Sequence, residues 1–353
     1  MIETFAPGKL FIAGEYAVLE PGHTAILVAV NRFIKVSLLE TSDEGRITSY
    51  GGESISWLRK DGQVFSSQPN KSFAYVLSAI NTVEKYTKEL GKKLKFYKIN
   101  IFSQLESKDG IKYGLGSSAA VTVATIKALC IYYEIPISDM ELFKLSALAS
   151  LAVNANSSCA DIGTSVFGGW IAFTTFDRDW VLRQVGRMSI AQLLEQRWPK
   201  LSIETLVPPT GLKLAVGWTG RPASTTNLVS NIYKRQVDDS IAYEDFLKNS
   251  DRCVKDMIYA FKKWDIQGIK KQIEINRKLL AHLSDELALP IETPLLTSLC
   301  DTAIKLGGAA KSSGAGGGDC GIVIFQDDRY LPQLIYEWEK VGITYLPVKV
   351  AYY

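Results

Sequence analysis

Four stretches of the chain carry residue types that can do chemistry. "KYGLGSSAAV", Lys112 to Val121, is a glycine-spaced turn running into small and apolar residues. Gly114 and Gly116 permit backbone conformations closed to other residues and let a ligand come close. Ser117, Ser118 and Ala119 would form the first turn of a helix, with Ala119 and Ala120 small enough to leave the approach open. The N–H groups of such a turn lack intrahelical partners, and the helix dipole adds positive potential, a setting in which phosphate binds well. The Walker A pattern does not occur in the sequence, so this is no P-loop. Taken alone the stretch reads equally well as a tight turn into a buried helix capped by Ser117.

"APGKLFIAGEYAVLEPGHTAI", Ala6 to Ile26, begins with Pro7-Gly8 as a turn and Lys9 as a strand begins, with Glu15 and Tyr16 at the strand's far end. A lysine there is a compact cation suited to an anionic oxygen, or simply a solvated strand-end residue. Asp161 in "NSSCADIG" sits among small residues ahead of a short helix. It is placed to act as a base, to steer a hydroxyl nucleophile, or to cap the helix. "KSSGAGGGDCG", Lys311 to Gly321, sets Gly314, Gly316, Gly317 and Gly318 within five residues. That is costly to order, and points to a ligand or a close backbone crossing.

The elements that must position these residues follow from periodicity. "AILVAV" and "FIKVSLLE" read as strands separated by "NR", and "GRITSY", "LKFYKINIF", "IAFTTF", "WVLRQV", "TGLKLAVGW", "IVIF" and "YLPVKVAY" continue the strand pattern. Helical spacing runs from Lys71 to Leu90, and an almost wholly apolar helix from Ser117 to Tyr133. Ser138 and Glu141 stand at capping-box spacing, which predicts a helix from there to about Val153. Further helices are predicted over Tyr243 to Trp264, Ile266 to Leu287, "TPLLTSLCDTAIKLG" and Tyr330 to Val341. The turn "TGRPASTTN" leads to a helix capped by Ser224 or Thr225. Strands and helices without regular alternation predict an α+β protein. The 353 residues suit two domains, changing over between Val185 and Leu214.

Composition narrows the function classes. Apolar residues make up 47% and charged residues 22%, ordinary for a soluble globular protein. The net charge of +3 argues against nucleic-acid or membrane partners, so any anion site is local. Five cysteines without C-x-x-C spacing argue against zinc ribbons and disulfide frameworks and suit a reducing, cytoplasmic compartment. No signal peptide or membrane span is expected. Two histidines, His23 and His282, leave little for a histidine-based metal centre or triad.

Together and in this order, "APGKLFIAGEYAVLEPGHTAI", "GLGSSAA" and "KSSGAGGGDCG" resemble the three motifs of the GHMP kinases, a family that includes galactokinase, homoserine kinase and mevalonate kinase. The resemblance implies an N-terminal α+β domain (1–190) like one found in a ribosomal protein and a ferredoxin-like C-terminal domain (191–353). It implies ATP in the cleft between them, phosphates on the loop Gly114, Leu115, Gly116, Ser117, Ser118, Ala119 and Ala120, and Mg²⁺ bound with help from Ser118. Asp161 takes the catalytic aspartate's position and Lys9 that of its supporting lysine. Within the family, "GEYAVLEPG", "SSCADI" and "FDRDWV" are most similar to bacterial members whose acceptor is itself a phosphate, 5-phosphomevalonate. Tyr16, His23, Ser157, Ser158, Arg221, Ser224, Ser313 and Ala315 are then the substrate-side candidates, with Arg221 able to pair a phosphate or carboxylate. Two departures stand out: the proline that often opens motif two is missing near Lys112 and Tyr113, and Ser150 stands where mevalonate kinase carries a Mg²⁺-binding glutamate. Another acceptor alcohol, mevalonate or homoserine, and a non-catalytic metabolite-binding regulator are the alternatives. The protein is expected as a monomer or homodimer.

Overall fold

The computed structural model describes residues 1–49, 51–66, 71–221 and 240–352. Strand β1 (Ile2–Ala13) pairs antiparallel with the long β2 (Thr24–Thr41). There follow β3 (Gly45–Thr48), β4 (Ser54–Lys60), β5 (Gln63–Ser66), α1 (Ala74–Glu89), β6 (Phe96–Ser103), α2 (Ser117–Tyr132), α3 (Asp139–Val153), α4 (Ala160–Phe167), β7 (Trp170–Thr174), α5 (Arg178–Gln184), α6 (Ile190–Glu195) and β8 (Ser202–Leu206). Among the described residues eight strands form one sheet, ordered β5-β4-β3-β6-β2-β7-β8, with β1 on β2. The chain continues with β9 (Lys213–Trp218), α7 (Ser240–Lys262), α8 (Ile266–Glu286), α9 (Pro294–Lys305), β10 (Ala309–Ser312), β11 (Cys320–Phe325), α10 (Leu331–Lys340) and β12 (Thr344–Tyr345). The second sheet runs β10-β11-β9-β12, antiparallel throughout.

The apolar helix α2 is buried because it lies against β1 and β2 with α1, α3 and α4 around it. Thr4 donates its hydroxyl to the Ala124 carbonyl at 2.7 Å, tying α2 to β1. The capping box predicted for α3 is present: Ser138 accepts from the Glu141 amide, and Glu141 accepts from the Ser138 amide. The first half of β2 is buried continuously, since α7 packs near it as well. Its second half alternates, with Val36 and Leu38 inward. Phe261 of α7 meets Trp170 of β7 at 5.4 Å between ring centroids.

Several expectations are corrected. Pro7-Gly8 is no turn: β1 runs through it, and Lys9 lies in mid-strand. Nor does "NR" break β2. Pro7 pairs with Phe33 and Gly8 with Val30, so Asn31 and Arg32 bulge from a continuous strand. "WVLRQV" is the helix α5, because Asp177 caps it by accepting from the Trp180 amide at 2.8 Å. "YLPVKVAY" holds strand pairing only at its start, and then runs back to the first sheet. There Val350 bridges Val30, Asn31 exchanges hydrogen bonds with Lys349, and the Gly169 amide donates to the Ala351 carbonyl at 2.6 Å. The last strand of the first sheet, β8, ends at Leu206, and the first strand of the second sheet, β9, begins at Lys213. The turn at Ser224 and Thr225 lies outside the described residues.

Candidate active site

The end of β1, the start of α2, the start of α4 and the loop between β10 and β11 enclose a cavity of about 440 Å³. At its head stands the glycine turn. Gly116 adopts a left-handed conformation, φ 79°, as the residue before α2. A Cβ there would lie 3.0 Å from Lys9 Cε, so the absent side chain is what lets the lysine lie along the loop. The helix therefore starts with Ser117 already inside it, and no side chain caps it. Gly114 is left-handed too, and a Cβ on it would meet the Asp319 carboxyl at 2.5 Å. The loop is held from both flanks. Lys9 donates its amide to the Leu115 carbonyl at 2.8 Å and its ammonium to the Gly114 carbonyl at 3.3 Å. On the other side the Cys320 thiol donates to the Tyr113 carbonyl at 3.1 Å, and the Tyr113 ring stands edge-on to Trp218. Tyr113 thus occupies the missing proline's neighbourhood as a packing residue.

Asp161 lies in the first turn of α4, after Cys159 in a left-handed conformation. Its carboxylate accepts from the Ile162 amide at 2.9 Å. Burial pushes the carboxyl above its ordinary range, while the Lys9 ammonium and that amide pull the other way. The Ser157 and Ser158 hydroxyls turn back onto the same loop, accepting from the Cys159 and Ala160 amides.

The structure gathers most of the predicted site residues around this cavity. Lys9, Asp161, Gly114, Gly116, Ser117, Ser118 and Ala119 line it, as do Tyr16, Ser157, Ser158, Ser313 and Ala315. Leu115 and Ala120 send their side chains into the core, and Leu115 serves the loop through its carbonyl. His23 is not on the wall; its Nδ1 pairs with Asp251 on α7 at 2.9 Å. Arg221 is also off the wall, its carbonyl accepting from the Asp319 amide, and Ser224 lies outside the described residues. Ser313 has its hydroxyl engaged: it accepts from the Phe11 amide at 2.9 Å and donates to the Phe11 carbonyl at 3.0 Å.

Other wall residues escape a reading of the sequence. Glu15, Tyr75, Asn154, Asn156 and Asp319 face the cavity. Tyr75 gives no signal beyond helical spacing; its hydroxyl is held protonated by burial and by nearby Asp161. Asp319 stands inside the third glycine loop and was there to be noticed. Ser150, the position singled out as a departure from mevalonate kinase, also lies on the wall. Among the described residues no cluster of three or more His, Cys, Asp or Glu forms a protein-only metal cage. No described helix is long and apolar enough to cross a membrane.

Comparison with known proteins gives consistent findings. The family description "GHMP kinases N terminal domain" matches residues 74–169, and "GHMP kinases C terminal" matches 257–344. A phosphomevalonate kinase from Streptomyces sp. (strain CL190) is 40% identical, covering 98% of this chain and 96% of its own. The crystal structure of a Listeria innocua protein superposes with a TM-score of 0.94 at 41% identity, covering 99% of this chain and 97% of that one. Streptococcus pneumoniae phosphomevalonate kinase in complex with phosphomevalonate and AMPPNP superposes with a TM-score of 0.86 at 30% identity, covering 99% and 100%.

Proposed function

The chain belongs to the GHMP kinases, and we propose that within the family it transfers the γ-phosphoryl of ATP to a phosphate oxygen of 5-phosphomevalonate. The products are 5-diphosphomevalonate and ADP, a step of the mevalonate route to isoprenoids. The observation that carries this reading is the convergence of Lys9, the Gly114–Ala119 turn and Asp161 on one cavity, in a chain 40% identical to a phosphomevalonate kinase.

Phosphoryl transfer asks for positioning and charge neutralisation more than for covalent work by the protein. The acceptor oxygen is already anionic near neutral pH, because a phosphate monoester has a second pKa of ~6. It needs no strong base; it needs a cation that lets two anions meet. Lys9, nearly buried between the glycine turn and Asp161, supplies that cation and bridges the two phosphates. Amides at the start of α2 hold the donor phosphates. The acceptor oxygen bonds to γ-phosphorus as its bond to the β–γ bridging oxygen breaks, and ADP departs with the electron pair. Asp161 orients Lys9 and the acceptor. Tyr16, Ser157, Ser158, Ser313 and Ala315 form the acceptor side. His23 and Arg221 belong to an outer layer.

Mg²⁺ suits this wall. Ser118 and Ser150 offer hydroxyl oxygens beside the turn, and Mg²⁺ takes few protein ligands, keeping water and phosphate oxygens. Ser118 would hold it, and the ion when bound neutralises charge on the ATP phosphates. The two-domain reading places the change-over between Leu206 and Lys213. A cytoplasmic location accords with five free, buried cysteines. No nucleic acid or membrane partner enters the reading, and the protein acts as a monomer or homodimer.

The test is an ADP-release assay on 5-phosphomevalonate, mevalonate and homoserine. Turnover of 5-phosphomevalonate is expected. Turnover of mevalonate without 5-phosphomevalonate would overturn the acceptor assignment.

A further inference from the structure

Glu15, on the cavity wall, forms an ion pair with a lysine behind it that the proposed chemistry does not use. Lys311, on β10, donates its ammonium to the Glu15 carboxylate just beyond β1; the side chains are 0% and 2% exposed. The lysine also donates to the Ser312 carbonyl at 2.6 Å, and the Gly314 amide reaches the same Glu15 oxygen at 3.4 Å. Taking two charges fully out of water is expensive, and a shape-matched apolar pair is often as stable. What the charged pair adds is direction, because charge-assisted hydrogen bonds are short and fix the groups they join.

Its neighbours show what is being fixed. Four of the five residues from Lys311 to Ala315 are tied by hydrogen bonds to β1 or its exit. Lys311 and Gly314 meet Glu15, Ser313 bonds both ways with Phe11, and the Ala315 carbonyl accepts from the Tyr16 hydroxyl. Phe11 and Lys9 are two residues apart on one strand, on the same face. The loop that follows is glycine-rich and has little stiffness of its own, so its order must come from outside. We propose that Glu15 and Lys311 are positioning residues: their buried pair sets the register of the Ser313–Ala315 wall against β1, and so its distance from Lys9. This rests on the functional reading above, in which that wall is the acceptor's side.

The test is the double variant E15Q/K311M, which removes both charges while keeping volume, so neither is left alone in the interior. Thermal unfolding, KM for ATP, KM for the acceptor and kcat are measured. Expected are a near wild-type melting temperature, an ATP KM within about twofold, and acceptor kcat/KM down by about a hundredfold, the scale on which small misplacements cost rate. E15D, which keeps the charge but shortens its reach, should show the same split to a smaller degree, and decides the matter if the double variant does not fold. Unchanged acceptor kinetics in the folded double variant or in E15D, or equal losses on the ATP and acceptor sides, would overturn the proposal. The acceptor used is whichever of the three the wild type turns over. A wild type silent on 5-phosphomevalonate breaks the functional reading, whereas an active wild type matched by its variants breaks this one.

Discussion

Strand β1 and its exit take part in two meetings of a lysine with a carboxylate. Lys9 and Asp161 share the cavity wall, where substrate can reach both, and the lysine's charge is felt by the acid without a direct bond between them. Glu15 meets the wall too, but it is almost wholly buried and bonded to Lys311, which lies behind it. The residue types are the same, but access decides what each pair can do. A cation with its charge uncommitted and a ligand within reach can work on a reaction. One whose charge is consumed by a buried partner can only hold a shape. The open pair also bears a cost: Asp161's carboxyl is pushed up by burial, so the folded protein ionises it less willingly than the unfolded chain does.

The contrast breaks most readily at Lys9. K9M is expected to lower kcat by about a thousandfold in the ADP-release assay, since it removes the charge that brings two phosphates together. D161N should lower kcat by about a hundredfold. The same variant carries a second signature. An acid raised in the folded state holds its proton more tightly when folded, so stability falls as pH rises from the ordinary value of 3.8 through the raised one. D161N should therefore melt at a higher temperature than wild type at pH 7, with the advantage vanishing toward pH 3; equal melting temperatures at pH 7 would show the acid is not strained. G114A sharpens the donor side. Its left-handed backbone and the contact with Asp319 should cost about 1–3 kcal/mol in chemical denaturation and raise the ATP KM about tenfold. Y16F, which leaves the Ala315 carbonyl without its partner, should raise the acceptor KM about fivefold and leave the ATP KM alone. H23A should change turnover less than about twofold, because its partner is a part-exposed Asp251 outside the cavity.

Local signals were readable where local physics decides the outcome. The Ser138–Glu141 box announced α3, and the glycines at 114 and 116 announced left-handed turns, because short-range geometry alone demands them. Asp161 and Lys9 could be singled out by their setting, though the family resemblance was needed to join them. Other features are settled by distant parts of the chain. Asn31 and Arg32 look like a turn, yet they form a bulge that receives the chain's end. "WVLRQV" has strand-like residues, but a cap at Asp177 makes it helical. Leu115 and Ala120 belong to the phosphate-binding stretch by spacing, while packing turns their side chains inward. Ser313 looked free to bind substrate, and Phe11 claims its hydroxyl. Glu15 and Lys311 are 296 positions apart, a separation no pattern search would bridge.

The return of the chain's end to the first sheet has a mechanical consequence. The chain passes between the two sheets at residues 207–212, and again at 346–349 before Val350 meets Val30. Those two crossings add covalent ties to the bonds that already join β10 and β11 to the first half of the chain, from Ser313 to Phe11, Lys311 to Glu15 and Cys320 to Tyr113, so the cavity is bounded by parts fastened to each other on several sides.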